Sequence, residues 1–161
     1  MLNMVSVGLG EVKISRDPMD VLTAFGLGSC LGIGMYDPVA RVAGLLHAIL
    51  PSMPNGSTEH AARYVDSGIR TLLNLILDAG GLQSRLIIRM AGGANMLVAP
   101  GFSSTLNIGS RNIEVAYATF NKLNLKLASQ DVGGSIGRTV RFYVADGRMT
   151  IRTIGNQERE V

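Results

Sequence analysis

The sequence predicts an α/β (α+β) fold, a single layered domain in which mixed β-sheets pack against two main helices. Three observations carry that expectation. Segments 58–79 and 109–122 repeat apolar residues at helical spacing, whereas many short segments between them have strand composition. Asp146-Gly147, set between two alternating runs, is a hairpin signal. Two apolar runs around 31–36 and 43–50 are joined by the turn Asp37-Pro38, so they pair directly and not through a crossover helix. That connection argues against a doubly wound parallel sheet. At 161 residues the chain reads as one domain, long enough to bury a real core.

Taken in order, residues 4–14 read as a short strand interrupted by Gly8 and Gly10. Arg16-Asp17-Pro18 is a turn, and Val21 to Phe25 a strand that Gly26-Leu27-Gly28-Ser29 should break. Two strands follow, one opened by Cys30 and one containing His47. Residues 51–57 are dense in breakers. The first helix should run from about Thr58 to Ala79, capped by Ser57 or Thr58 and stopped by Gly80-Gly81, with Val65, Ile69, Leu72, Leu73 and Ile76 on its inner face. Arg85 to Met90 is a strand, and 97–106 an exposed loop. The second helix should run from Gly109 or Ser110 to Lys122, with Ile113, Ala116, Tyr117 and Phe120 inward. Leu125 to Gln130, Thr139 to Val144 and Met149 to Ile154 complete the strands, and the polar tail from Asn156 should fray.

Composition narrows the function. Hydrophobic residues make up 47% and charged residues 17%, which excludes a disordered chain. The net charge of +3 is spread without a basic block, and aromatics are only 5%, so no nucleic-acid partner is expected. No run approaches the eighteen apolar residues of a membrane span, so no membrane insertion is expected. Met1-Leu2-Asn3-Met4 lacks the basic start of a signal peptide, and a lone cysteine suits a reducing compartment, so the expected location is the cytoplasm. His47 and His60 are thirteen apart with one cysteine, which is no zinc spacing; neither a metal nor a cofactor is expected. The glycine pairs at 92–93 and 133–134 fit no phosphate-loop pattern.

The chemistry-bearing residues are Cys30, the sole cysteine, and His47, seventeen positions on. On composition and position alone, a lone cysteine more often fills a core, and a lone histidine is more often satisfied by a backbone carbonyl. Two features count against that. Gly28-Ser29 leads directly into Cys30, and the Asp37-Pro38 turn folds His47 back toward it. A thiol beside an imidazole is the minimum equipment of a cysteine hydrolase. The loop at Gly28 and Ser29 reads either as a tight turn that holds nothing, which the glycines alone favour, or as one whose backbone N–H groups form an oxyanion site.

The chain resembles the CheD family of chemoreceptor glutamine deamidases. The likeness rests on Gly26-Leu27-Gly28-Ser29-Cys30, Tyr36-Asp37-Pro38, Gly44-Leu45-Leu46-His47-Ala48-Ile49-Leu50-Pro51, Ala91-Gly92-Gly93-Ala94-Asn95-Met96, Asn107-Ile108-Gly109-Ser110-Arg111-Asn112 and Asp131-Val132-Gly133-Gly134. The resemblance implies a cytoplasmic enzyme that converts glutamine to glutamate on methyl-accepting chemotaxis receptors. It implies the layered fold of bacterial deamidating toxins, and docking on the chemotaxis phosphatase CheC. It makes Cys30 the nucleophile and His47 the base and acid. The family adds a threonine five or six residues before the cysteine; here Phe25 and Ala24 stand there, and Thr23, seven before, is carried only as an auxiliary. Two other readings remain: a binding module without turnover, and a cysteine hydrolase of different specificity.

Overall fold

The computed structural model describes residues 1–57, 59–96 and 107–161. Among the described residues, ten strands and two α-helices form three layers. One sheet has the order β1 (Asn3–Ser6), β3 (Asp20–Leu27), β8 (Arg138–Tyr143), β9 (Met149–Arg152), β10 (Arg159–Glu160). The other has the order β2 (Val12–Ser15), β5 (Val42–Ala48), β4 (Leu31–Asp37), β6 (Ile87–Gly92), β7 (Leu127–Val132). Both sheets are mixed: β1 lies parallel to β3 and β6 parallel to β7, and every other pairing is antiparallel. Helices α1 (Val65–Asp78) and α2 (Ile108–Lys122) cover the outer face of the second sheet. The expected fold class is the observed one.

The second sheet is therefore buried on both faces, and its side chains divide by parity. Leu31, Ile33, Met35, Leu46 and Ala48 pack under the helices with Ile69, Leu72 and Ile76. Tyr36, Ala43 and Leu45 point the other way, into a core shared with Leu22, Val140 and Phe142 of the first sheet. Each fully buried Leu, Ile or Phe contributes about 1.5–3 kcal/mol. The sheets approach closely because Gly34 has no side chain: a Cβ there would lie 2.6 Å from the Phe142 ring.

Several boundaries differ from the sequence expectation. Residues 4–14 form two strands in different sheets, β1 and β2, because Gly8 and Gly10 let the chain cross between layers. Strand β3 continues through Gly26 to Leu27, absorbing the glycine in a register shift between Ala24 and Leu27. Helix α1 starts at Val65 with Tyr64 at its N-cap, since Ala61–Arg63 forms a separate 3-10 turn. Ser57 does not cap it, and Thr58 and the loop 97–106 lie outside the described residues. The tail is not wholly frayed: Arg159 and Glu160 pair with Ile151 and Thr150.

Candidate functional site

The turn at Asp37-Pro38 makes β4 and β5 an antiparallel pair, with Gly32 opposite His47 and Leu31 opposite Ala48. The Asp37 carboxylate fixes that turn. It accepts the N–H groups of Val39 (2.9 Å), Ala40 (3.0 Å) and Leu82 (2.8 Å), and pairs with Arg85 at 2.9 Å. Burial alone would raise its pKa, but the Arg85 guanidinium and these N–H donors hold it far below the usual carboxylate range. With the pairing set, Cys30 falls immediately before β4 and packs against the inter-sheet core. His47 shares the parity of Ala43 and Leu45 and faces the same core. Cys30 and His47 are thus both turned to the inter-sheet side of this strand pair.

His47 is buried and pinned on three sides. Its N–H donates to Glu11 O and its carbonyl accepts from Gly10 N–H, both at 2.9 Å. Its Nδ1 lies 3.0 Å from the Val7 carbonyl. A carbonyl only accepts, so Nδ1 carries the proton and Nε2 keeps its lone pair. Nε2 is buried and has no hydrogen-bond partner among the described residues. Burial lowers the His47 pKa, opposed by the Val7 contact and Glu11, so the ring is neutral at neutral pH. Cys30 is half-buried, and burial raises its thiol, only partly offset by its own N–H. The resting pair is a thiol and a neutral imidazole.

The loop before Cys30 is anchored by three successive carbonyls. Gly28 O accepts from Ala94 N–H, Ser29 O from Asn112 Nδ2 and Cys30 O from Gly93 N–H, each at 2.9 Å. These donors come from the end of β6 and from α2, so distant segments hold the backbone at Cys30. The carbonyls are all engaged, whereas the Ser29 and Cys30 N–H groups have no main-chain acceptor among the described residues. Gly28, Ser29 and Cys30 line a cleft of about 350 Å³ with Asn95, Met96 and Ile108. A larger depression, about 740 Å³, lies between Ser135 and Arg159. Its arginines, Arg138 and Arg159, are both paired with Asp131, so it reads as an ion-pair cluster.

Thr23 is not brought to this site. On β3, Leu22, Ala24 and Leu27 face the inter-sheet core, so Thr23 faces the outer side. There it borders a surface depression with Met4, Val21 and Arg141, and its hydroxyl donates to Val21 O at 3.1 Å. The Val7 carbonyl, not a threonine, is what orients the imidazole. His60, exposed and left-handed (φ 57), caps the 3-10 turn away from the pair. Among the described residues no cluster of His, Cys, Asp or Glu has the makings of a metal site, and no helix is long and apolar enough to cross a membrane. Sequence reasoning missed two members: the Val7 carbonyl, which has no side-chain signal, and Asn112, whose motif was visible but not its contacts.

A mixed-sheet fold that sets a half-buried thiol at a cleft, with a buried imidazole of bare Nε2 on the neighbouring strand, has the side chains that a cysteine hydrolase uses. The family model described as CheD chemotactic sensory transduction matches residues 49–153. Full-length relatives extend the likeness beyond that span. A CheD protein of Symbiobacterium thermophilum is 40% identical over 158 residues, 97% of this chain and 96% of its own. The chemoreceptor glutamine deamidase CheD of Halalkalibacterium halodurans is 35% identical over 163 residues, 100% of each chain. The crystal structure of Bacillus licheniformis hypothetical protein YfiH shows a looser likeness, with TM-score 0.48 and 12% identity over 77% of this chain and 49% of its own. The chain belongs to the CheD family.

Proposed function

We propose that this chain hydrolyses the side-chain amide of glutamine on chemoreceptors, giving glutamate and ammonia. What supports this reading is a His47 whose Nε2 the Val7 contact leaves as a bare acceptor, on the strand pair that also carries Cys30. The relatives' names supply the substrate class.

His47 Nε2 takes the Cys30 thiol proton as sulfur attacks the amide carbon. The oxyanion forms against the Cys30 and Ser29 N–H groups; one such donor is typically worth about 3 kcal/mol of barrier. The imidazolium returns its proton to nitrogen, the C–N bond breaks, and ammonia leaves a thioester. Water, deprotonated by His47, then cleaves the thioester and restores the thiol. Cys30 and His47 Nε2 are not hydrogen-bonded to each other, so this mechanism requires the two to draw together as the amide binds. No step calls for a metal or cofactor. On the same reading the 161 residues act as one unit in the cytoplasm, and the chemotaxis phosphatase CheC is a regulatory partner.

The test is intact-mass analysis of a receptor cytoplasmic fragment after incubation with the chain. Each deamidation adds about one mass unit without cleavage, and Cys30→Ala or His47→Ala should abolish it. Cleaved fragments would point to a peptidase. An unchanged mass would leave a binding module.

A further inference from the structure

We propose that Asn112 is a positioning residue that aims the Cys30 N–H at the developing oxyanion and ties the nucleophile to the strand of the base. This rests on the amide-hydrolysis reading of the site. Asn112 is fully buried in α2. Its Nδ2 donates to Ser29 O at 2.9 Å and to Ile49 O at 3.0 Å. The Ser29 carbonyl and the Cys30 N–H belong to one planar trans peptide, so they point in opposite directions. Holding that carbonyl therefore fixes the direction of the N–H. It also polarises the peptide and strengthens the N–H as a donor.

The second contact is as informative. Ile49 lies two residues past His47, so one amide group spans the approach to the nucleophile and the continuation of the base's strand. The Gly28 and Cys30 carbonyls are held by main-chain donors, Ala94 and Gly93. Asn112 is the side-chain anchor of the three. Its Oδ1 is buried without a partner among the described residues. A residue kept only for packing would be better served by an apolar side chain, which leaves no such orphan. Asn95 sets the placement of α2 itself, its amide donating to Ser110 Oγ at 2.7 Å.

The test uses the full chain, the receptor fragment as substrate, and two readouts on Asn112→Ala and Asn112→Leu. Deamidation forms an oxyanion; alkylation of Cys30 by iodoacetamide does not. The expected result is a kcat lower by roughly 10- to 100-fold with KM within about twofold, and an alkylation rate within about threefold of wild type. Thr119→Ala is the control, since Thr119 is buried in the same helix but bonds only Val115 O; it should melt lower yet keep kcat. Unchanged kcat in both Asn112 variants would overturn the proposal. So would a parallel loss of turnover and alkylation, or loss of cooperative melting in both variants, each of which would make Asn112 merely structural. A wild-type chain that leaves the fragment's mass unchanged overturns the deamidase reading and this proposal with it; wild-type turnover with normal variants overturns this proposal alone.

Discussion

The carbonyl oxygen of Cys30 occupies the space that a side chain on Gly92 would need. Gly92 ends β6 at φ +112, and Gly93 beyond it donates its N–H to that same oxygen at 2.9 Å. The backbone of Cys30 is thus seated on a residue that must be glycine for both conformation and room.

Gly92→Ala should accordingly lower deamidation by about 100-fold, the scale of an ångström misplacement. Its backbone strain should cost about 1–3 kcal/mol of stability. Turnover assays alongside thermal melts check both. A variant with wild-type turnover would show that the carbonyl seat does not matter to the chemistry.

The pH profile follows from the two burial effects. The competent pair holds one proton, on sulfur, with Nε2 free. Burial lowers His47, so protonation removes the base only below the ordinary imidazole range; burial raises Cys30, so the thiol proton is lost only above the ordinary thiol range. The profile of kcat/KM should be a broad bell whose limbs lie outside that interval and belong to the pair jointly. An acidic limb centred above pH 7 would instead mean an imidazole whose pKa is raised, against the effect of burial. Folding carries the same sign for His47. The unfolded chain takes up a proton that the native ring resists, so stability should fall as pH drops below about 6.5.

Thr23→Val should leave turnover within about twofold of wild type, because its hydroxyl serves Val21 on the outer face of the first sheet. The lost contact is a neutral hydrogen bond worth about 1 kcal/mol of stability. A loss as severe as that of His47→Ala would make Thr23 a full member of the machinery.

Much of this arrangement was legible in the sequence, and the reasons are specific. Asp37-Pro38 and Asp146-Gly147 are local turn signals that act on their own neighbours, so the strands flanking them pair as expected. Cys30 and His47 stood out because the composition offers one thiol and two imidazoles. The parity that faces Thr23 outward could be stated in advance, but not which parity met the core. Asn112 and Thr119 are polar residues on the buried face of α2, whereas Tyr117, expected inside, is 39% exposed. Apolar periodicity places that face poorly when its buried positions are amides and hydroxyls with distant partners. The Val7 carbonyl could not be foreseen at all, since every residue carries one.

The seat of Cys30 has a consequence for the life of the protein between turnovers. Peroxide and foreign disulfides react with thiolates, and they need a sulfur that is exposed. Cys30 is half-buried, retains its proton at rest, and sits on a loop whose three carbonyls are tied down. Sulfenic acid formation and mixed-disulfide capture should both be slow on such a thiol. On the proposed mechanism, the thiol reaches its most reactive state only while a substrate amide lies against it and His47 draws the proton away.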